Sequence, residues 1–329
     1  MRRAGPVAVF AVALLVVALL PRFVSDFRAF QLATVGIYFI AIVGLNVLTG
    51  YSGQISLGHG AFMAVGGYTS AILMANHGWR DLWTIPVAGV VAGVAGLLFG
   101  VPGTRLSGLY LALVTFGVAV SFPTILKKFS GFTGGSTGLI LNLPKAPFGL
   151  GLSGNDWLYY LTWGLALLLW AAAWALLRGP VGRALKALRD SEVAAASAGV
   201  NPTAYKTLAF GISAFYAGVA GSLLAISVAY VNPDTFPVVL SITLLVGTVV
   251  GGLGSLVGAI AGAAFIEFLP VYASDLLDWF QKLVHFHANS KAPGVPAVIY
   301  GLVLILVMLL LPRGVGGIAH LTSRFPRRS

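Results

Sequence analysis

Residues 178–206 read RGPVGRALKALRDSEVAAASAGVNPTAYK, and this stretch decides how the rest of the chain must be arranged. It sets Arg178, Arg183, Lys186, Arg189 and Lys206 against Asp190 and Glu192, between long apolar runs broken by glycine and proline. Such a segment belongs in water. Its positive excess marks the cytoplasmic side of a membrane, where Lys and Arg collect in short loops. The apolar runs on either side then have to cross the bilayer.

Composition agrees. The 329 residues are 58% hydrophobic and 9% charged, whereas a soluble domain carries about 25% charged residues. The formal charge of +11 is spread over loops and termini. A nucleic-acid surface would gather it on one face, so anionic lipid is the better partner and nucleic acid is not expected. There is no cysteine, hence no disulfide framework or thiolate chemistry. The opening MRRAGPVAVFAVALLVVALLPRF has the charge and apolar core of a signal peptide. Pro21-Arg22-Phe23 replaces a small-x-small cleavage site, so an uncleaved first helix is expected.

A spanning helix needs about 20 mostly apolar residues. That measure predicts an all-α polytopic bundle of about ten crossings (8–10), forming a single integral membrane domain. They fall near 5–20, 31–49, 55–75, 85–101, 107–126, 157–177, 207–229, 237–254, 255–273 and 294–311. The third, eighth and ninth are glycine-rich enough to be broken or re-entrant. With both termini cytoplasmic, twelve of the twenty Lys and Arg lie inside. The short inner loops, where the rule has force, agree with that orientation.

The outer loop 127–156 contains FTGGSTG (132–138), Pro144 and Pro147. It reads either as a short helix or lid over an outer opening or as an ordinary connector. Gly89, Gly93, Gly96 and Gly100, and again Gly254, Gly258 and Gly262, place small residues on helix faces, which lets backbones approach closely in lipid. GYSGQISLGHGAF (50–62) and GGLGSLVGAIAGAAF (251–265) echo one another as glycine-rich starts of a crossing.

Catalytic patterns are lacking. No GxxxxGK[ST] phosphate loop is present. His59, His77, His285, His287 and His320 form no ligand spacing. Glu267 is the one acid well inside an apolar run, so proton- or sodium-coupled transport has little to work with. Energy then comes from elsewhere, or transport is passive. The densest polar set in an apolar region is Asn46, Thr49, Ser52, Gln54, Ser56 and His59. Such side chains either line a translocation path or hydrogen-bond between helices.

In 178–206, Gly179-Pro180 ends the preceding crossing and a basic helix follows. Asp190 or Ser191 can cap a new helix, and Glu192 suits its positive end. Alanines at 194, 195, 196 and 198 lead to Gly199 and Pro202, which stop it. The product, about two turns long, is too short to be stable alone. It is either a capped turn or a lever seated in a motor's groove.

RALKALRDSEVAAASAGVNPTAYKTLAFGISAFYAGVAGSLLA (183–225) and GLNVLTGYSGQISLGHGAFMAVGGYTSAIL (44–73) resemble ABC importer permeases for branched-chain amino acids, the LivM type. RLSGLYLALVTFG (105–117), GGSTGL (134–139), GGLGSLVGAIAGA (251–263) and LLLPRGVGG (309–317) match in the same order. The resemblance implies a subunit of the bacterial inner membrane paired with a homologous second permease. It also implies two cytoplasmic ATPase subunits and an extracytoplasmic solute-binding protein. ATP and magnesium would then sit on those partners, with no cofactor and no catalytic residue on this chain. It further implies that the short helix is a coupling helix, with Arg189, Asp190, Ser191, Glu192, Ala194, Ala195 and Gly199 meeting the ATPase. Relatives of the same architecture carry urea, short amides, sugars or nucleosides. From a different class, a stand-alone secondary carrier or channel would need coupling charges or a continuous polar pore.

Overall fold

The computed structural model describes residues 24–106, 108–142 and 153–284, with Pro21, Pro144 and short pieces between 301 and 317. Helix α1 (Asp26–Leu45) runs straight into a π-helical turn (Asn46–Tyr51). Helices α2 (His59–His77), α3 (Asp81–Gly103) and α4 (Leu109–Lys128) follow. A one-turn α5 (Ser130–Thr133) and a two-residue strand β1 (Leu139–Ile140) lead towards α6 (Gly154–Arg178). Then come α7 (Pro180–Asp190), α8 (Glu192–Ser197) and α9 (Pro202–Val228). Strand β2 (Tyr230–Val231) and a 3-10 turn (Pro233–Thr235) precede α10 (Val238–Gly251) and α11 (Gly258–Val284).

Among the described residues, six segments are long and apolar enough to cross a membrane: Asp26–Tyr51, Asp81–Gly103, Leu109–Lys128, Gly154–Arg178, Pro202–Val228 and Pro233–Gly251. Each coincides with an expected crossing. The expected crossing 55–75 corresponds to α2, whose 19 residues include His59, Asn76, His77 and several glycines. It is not among the six. The crossing expected at 255–273 corresponds to the start of α11, where the apolar part is Gly258–Tyr272. The stretch 5–20 and most of 294–311 lie outside the described residues.

α9 is the central post, packed along α2 and α3 and also against α1. Its 27 residues make a rod of about 40 Å. The close approach depends on missing β-carbons. One at Gly221 would run into the Met63 carbonyl of α2, and one at Gly218 into Ala92 of α3. Gly89, Gly93, Gly96 and Gly100 all face α9, against Phe215, Ala214, Phe210 and Thr207. Dispersion between such tightly apposed backbones is what joins helices when lipid removes the hydrophobic drive. Gly258 and Gly262 likewise seat against Gly251 and Gly247 of α10. Gly254 does not continue that ridge. It lies in the α10–α11 turn with φ +80°, a backbone that only glycine adopts without cost.

The described part of 127–156 is ordered by packing. β1 pairs antiparallel with β2, Leu141 N donates to the Ala229 carbonyl at 2.8 Å, and Lys127 meets Asp234 at 3.2 Å. Gly134, Gly135 and Gly138 take positive φ in the turn that GGSTG encodes. This piece clasps the connector between α9 and α10. Residues 145–152 of that loop lie outside the described residues.

Candidate functional site at the α7–α8 end of the bundle

Members of the two groups of side chains singled out from sequence meet at one end of the bundle, while Ser56 and His59 bond elsewhere. The α6–α7 break is set by Gly179 and by Pro180, which opens α7 where its missing N–H costs nothing. α7 buries Ala184, Leu185 and Leu188 and turns Arg183, Lys186, Arg189 and Asp190 outward. Ser191 resolves the choice of cap: its hydroxyl accepts from Ala194 N at 3.3 Å, and α8 begins at Glu192. At the other end Gly199 has φ +86°, and Val200 N donates to the Ala195 carbonyl at 3.0 Å. That is a left-handed stop of the expected kind. Asn201 then caps α9 by accepting from Ala204 N at 3.1 Å.

Among the described residues α8 packs chiefly on its neighbours α7 and α9. Ala195 is the side chain turned inward, buried at 4% exposure. Val193, Ala194, Ala196 and Ser197 form an exposed, smooth outer face.

From α8 a chain of polar contacts leads into the bundle. Glu192 Oε2 accepts from Lys206 Nζ at 2.5 Å, and the lysine side chain is 9% exposed. The Lys206 carbonyl in turn accepts from Gln54 Nε2 at 3.3 Å. Gln54 Nε2 also donates to Ser52 Oγ at 2.7 Å, and Ser52 donates to the Leu48 carbonyl at 2.9 Å. Thr49 Oγ1 donates to the Gln54 carbonyl at 3.1 Å. A second contact runs from α7: Arg189 Nη1 donates to the Gly50 carbonyl. Lys186 lies over the Tyr51 ring, 5.3 Å from its centroid, a weak attraction at a wet site.

The π-helical turn is where these contacts converge, and its wider winding frees carbonyls that an α-helix would occupy. Asn46, fully buried, carries the path onward. Its Nδ2 donates to the carbonyls of Ser255 at 2.9 Å and Gly252 at 3.4 Å, and its Oδ1 accepts from Gly254 N at 2.7 Å. The two glycine-rich echoes, 50–62 and 251–265, touch one another here, where a β-carbon on Gly50 would run into Gly254 N. Ser56 Oγ accepts from Gly58 N at 3.3 Å. His59 Nε2 lies 3.0 Å from the Ala41 carbonyl, and its Nδ1 lies 3.5 Å from Ser213 Oγ. With Nε2 as donor, the neutral ring is satisfied at both nitrogens.

All six polar candidates, Asn46, Thr49, Ser52, Gln54, Ser56 and His59, are thus buried and bonded within the protein. One acceptor among them stands apart: Gln54 Oε1 is buried and has no donor among the described residues. Lys206 and the Gly252–Ser255 turn were not among the sequence candidates. Glu192 and Lys206 are opposite charges bracketing a short capped helix, which is the signal that would have found the pair. The role of 252–255 depends on a contact with Asn46 across more than 200 positions, and no local pattern announces it. Among the described residues no three His, Asp or Glu side chains gather to hold a metal ion.

Comparison with known proteins gives a consistent result. A family described as "Branched-chain amino acid transport system / permease component" matches residues 28–311. The high-affinity branched-chain amino acid transport system permease protein LivM of Escherichia coli K12 is 35% identical, over 93% of this chain and 74% of its own. The permease protein LivH of the same organism is 25% identical over 85% of this chain and 91% of its own. The autoinducer 2 import system permease protein LsrC of Photorhabdus laumondii is 28% identical over 42% of this chain and 44% of its own. No solved structure matches.

Proposed function

The chain belongs to the branched-chain amino acid transport permease family, and on that premise we propose that it is the membrane subunit of an ATP-driven importer. The solutes are branched-chain or other apolar amino acids, and the membrane is a bacterial inner membrane. The observation that carries this reading is α8, a capped rod exposed on one face and tied through Glu192, Lys206 and Gln54 to the end of α1. A part that receives force needs both a free face and a stiff connection inward.

In this reading α7 and α8 face the cytoplasm and dock in the groove of an ATPase partner. Ser191 and Gly199 fix the ends of the rod, Ala194 and the neighbouring small side chains present its docking face, and Arg189, Asp190 and Glu192 orient it. ATP and magnesium belong to two ATPase subunits, since this sequence has no phosphate loop. A homologous second permease completes the membrane portion, and a binding protein on the outer face delivers the solute. Ten crossings with both termini inside remain the topology that the charge distribution favours. Asn46, Thr49, Ser52, Gln54, Ser56 and His59 act as the inner hinge of the translocation path, where motion of α8 reaches α1 and the α10–α11 hairpin.

The test is a bulky residue on the docking face. Ala194→Trp leaves the subunit folded and assembled but lowers solute-stimulated ATP hydrolysis and uptake about tenfold, or about 1.4 kcal/mol of lost docking. Normal uptake by this variant in vesicles holding the full complex would count against the assignment. Ala195→Trp is a poorer probe, because Ala195 packs inward and its enlargement disturbs the subunit itself.

A further inference from the structure

A cavity of about 130 Å³ opens at the root of α8, between the α1–α2 loop, the α3–α4 turn and α7. Its polar lining comes from Gln54, Arg189, Glu192 and Lys206, and its apolar wall from Leu106, Leu111 and Leu188. The orientation of the Gln54 amide is fixed by its partners. The Lys206 carbonyl can only accept, and Ser52 already donates to Leu48, so the NH2 must point at both. The carbonyl Oε1 is left as a buried acceptor with no donor among the described residues, on a side chain 6% exposed. A buried acceptor of this kind is costly unless something donates to it.

The chemistry of the lining specifies the donor. Glu192 spends one carboxylate oxygen on Lys206 and is half exposed, so its other oxygen can take a second cation in the cavity that Gln54 also lines. Arg189 uses one nitrogen on the Gly50 carbonyl and keeps further N–H groups for a carboxylate. An ammonium on one side, a carboxylate on the other and a short aliphatic chain against three leucines describe a small apolar amino acid.

We propose that this cavity binds a free branched-chain amino acid from the α8 side and, by bracing Glu192 and Arg189 against Gln54, restrains the coupling helix. The inference rests on the function proposed above, which makes such amino acids the imported product. Accumulated product would then slow its own import at the subunit that transmits the force.

The test uses the complete importer in proteoliposomes with the ATPase subunits facing outward and the binding protein enclosed. Leucine added outside inhibits ATP hydrolysis driven by leucine-loaded binding protein, and labelled leucine binds saturably to the complex purified without its binding protein. Leu106→Trp fills the cavity without touching the polar contacts. It weakens both effects at least about tenfold while uptake at low external leucine stays near wild type. Gln54→Met weakens binding by a similar factor. Saturable binding that Leu106→Trp leaves intact, or no binding by a complex that still imports leucine, overturns the inference. Failure of the wild-type complex to import leucine at all overturns the function proposed above instead.

Discussion

Lys206 is the residue on which the inner contacts are most finely balanced. Its ammonium is nearly buried and its one carboxylate partner, Glu192, is half exposed. Removing one member of such a pair hurts most when it strands the buried charge. Glu192→Gln is therefore expected to destabilise the subunit by about 1–3 kcal/mol, below the range for a fully buried pair because Glu192 is partly solvated. Lys206→Met costs less, and the double variant is more stable than Glu192→Gln alone. Thermal unfolding of the four purified proteins in detergent checks that order, and an equal loss in both single variants would remove the asymmetry. Asn46→Ala deletes an amide that holds the 252–255 turn at three points. It lowers stability by about 1–3 kcal/mol in the same assay, the cost of buried backbone groups left unmatched. Capping is local chemistry, so Ser191, Glu192 and Gly199 were readable in order along the chain. The partners of Asn46 were not, because those contacts exist only once the α10–α11 turn has folded back onto the end of α1.

At the scale of helices, the bundle depends on where β-carbons are missing. Gly221→Leu drives a side chain into the α2 backbone at Met63, and Gly218→Leu does the same at α3. Both are expected to abolish the folded subunit, since overpacking at backbone contact cannot be relieved by a rotamer change. Gly164 is the control: a β-carbon there meets nothing within 4 Å. Gly164→Ala is neutral or slightly stabilising, as a helix interior prefers alanine by about 1 kcal/mol. Size-exclusion profiles and melting temperatures of these variants separate the two cases. The glycine spacing on α3 predicted a packing face, and that face lies on α9. Sequence alone could not choose α9 as the neighbour, nor show that Gly254 belongs to a turn. Apolar length marked six spans well. It was a weaker guide for α2, where glycine, histidine and asparagine dilute the signal of a helix buried among others.

For the whole molecule, the importer function proposed above requires chains other than this one. Reconstituted alone, the subunit is expected to give no leucine flux above protein-free liposomes, and flux appears when the ATPases, the second permease and the binding protein are added. Appreciable flux from the isolated chain would favour a carrier or channel. The importer account also requires that α8 face the compartment where ATP is found. A single reporter tests this directly, because the chain has no cysteine of its own and Ser197 is exposed on the outer side of α8. With Ser197→Cys, a membrane-impermeant maleimide labels inside-out vesicles and leaves intact cells unlabelled, and excess ATPase subunit slows the reaction. Rapid labelling from outside intact cells would turn the molecule over and contradict its role as the receiver of force from an ATP-driven motor.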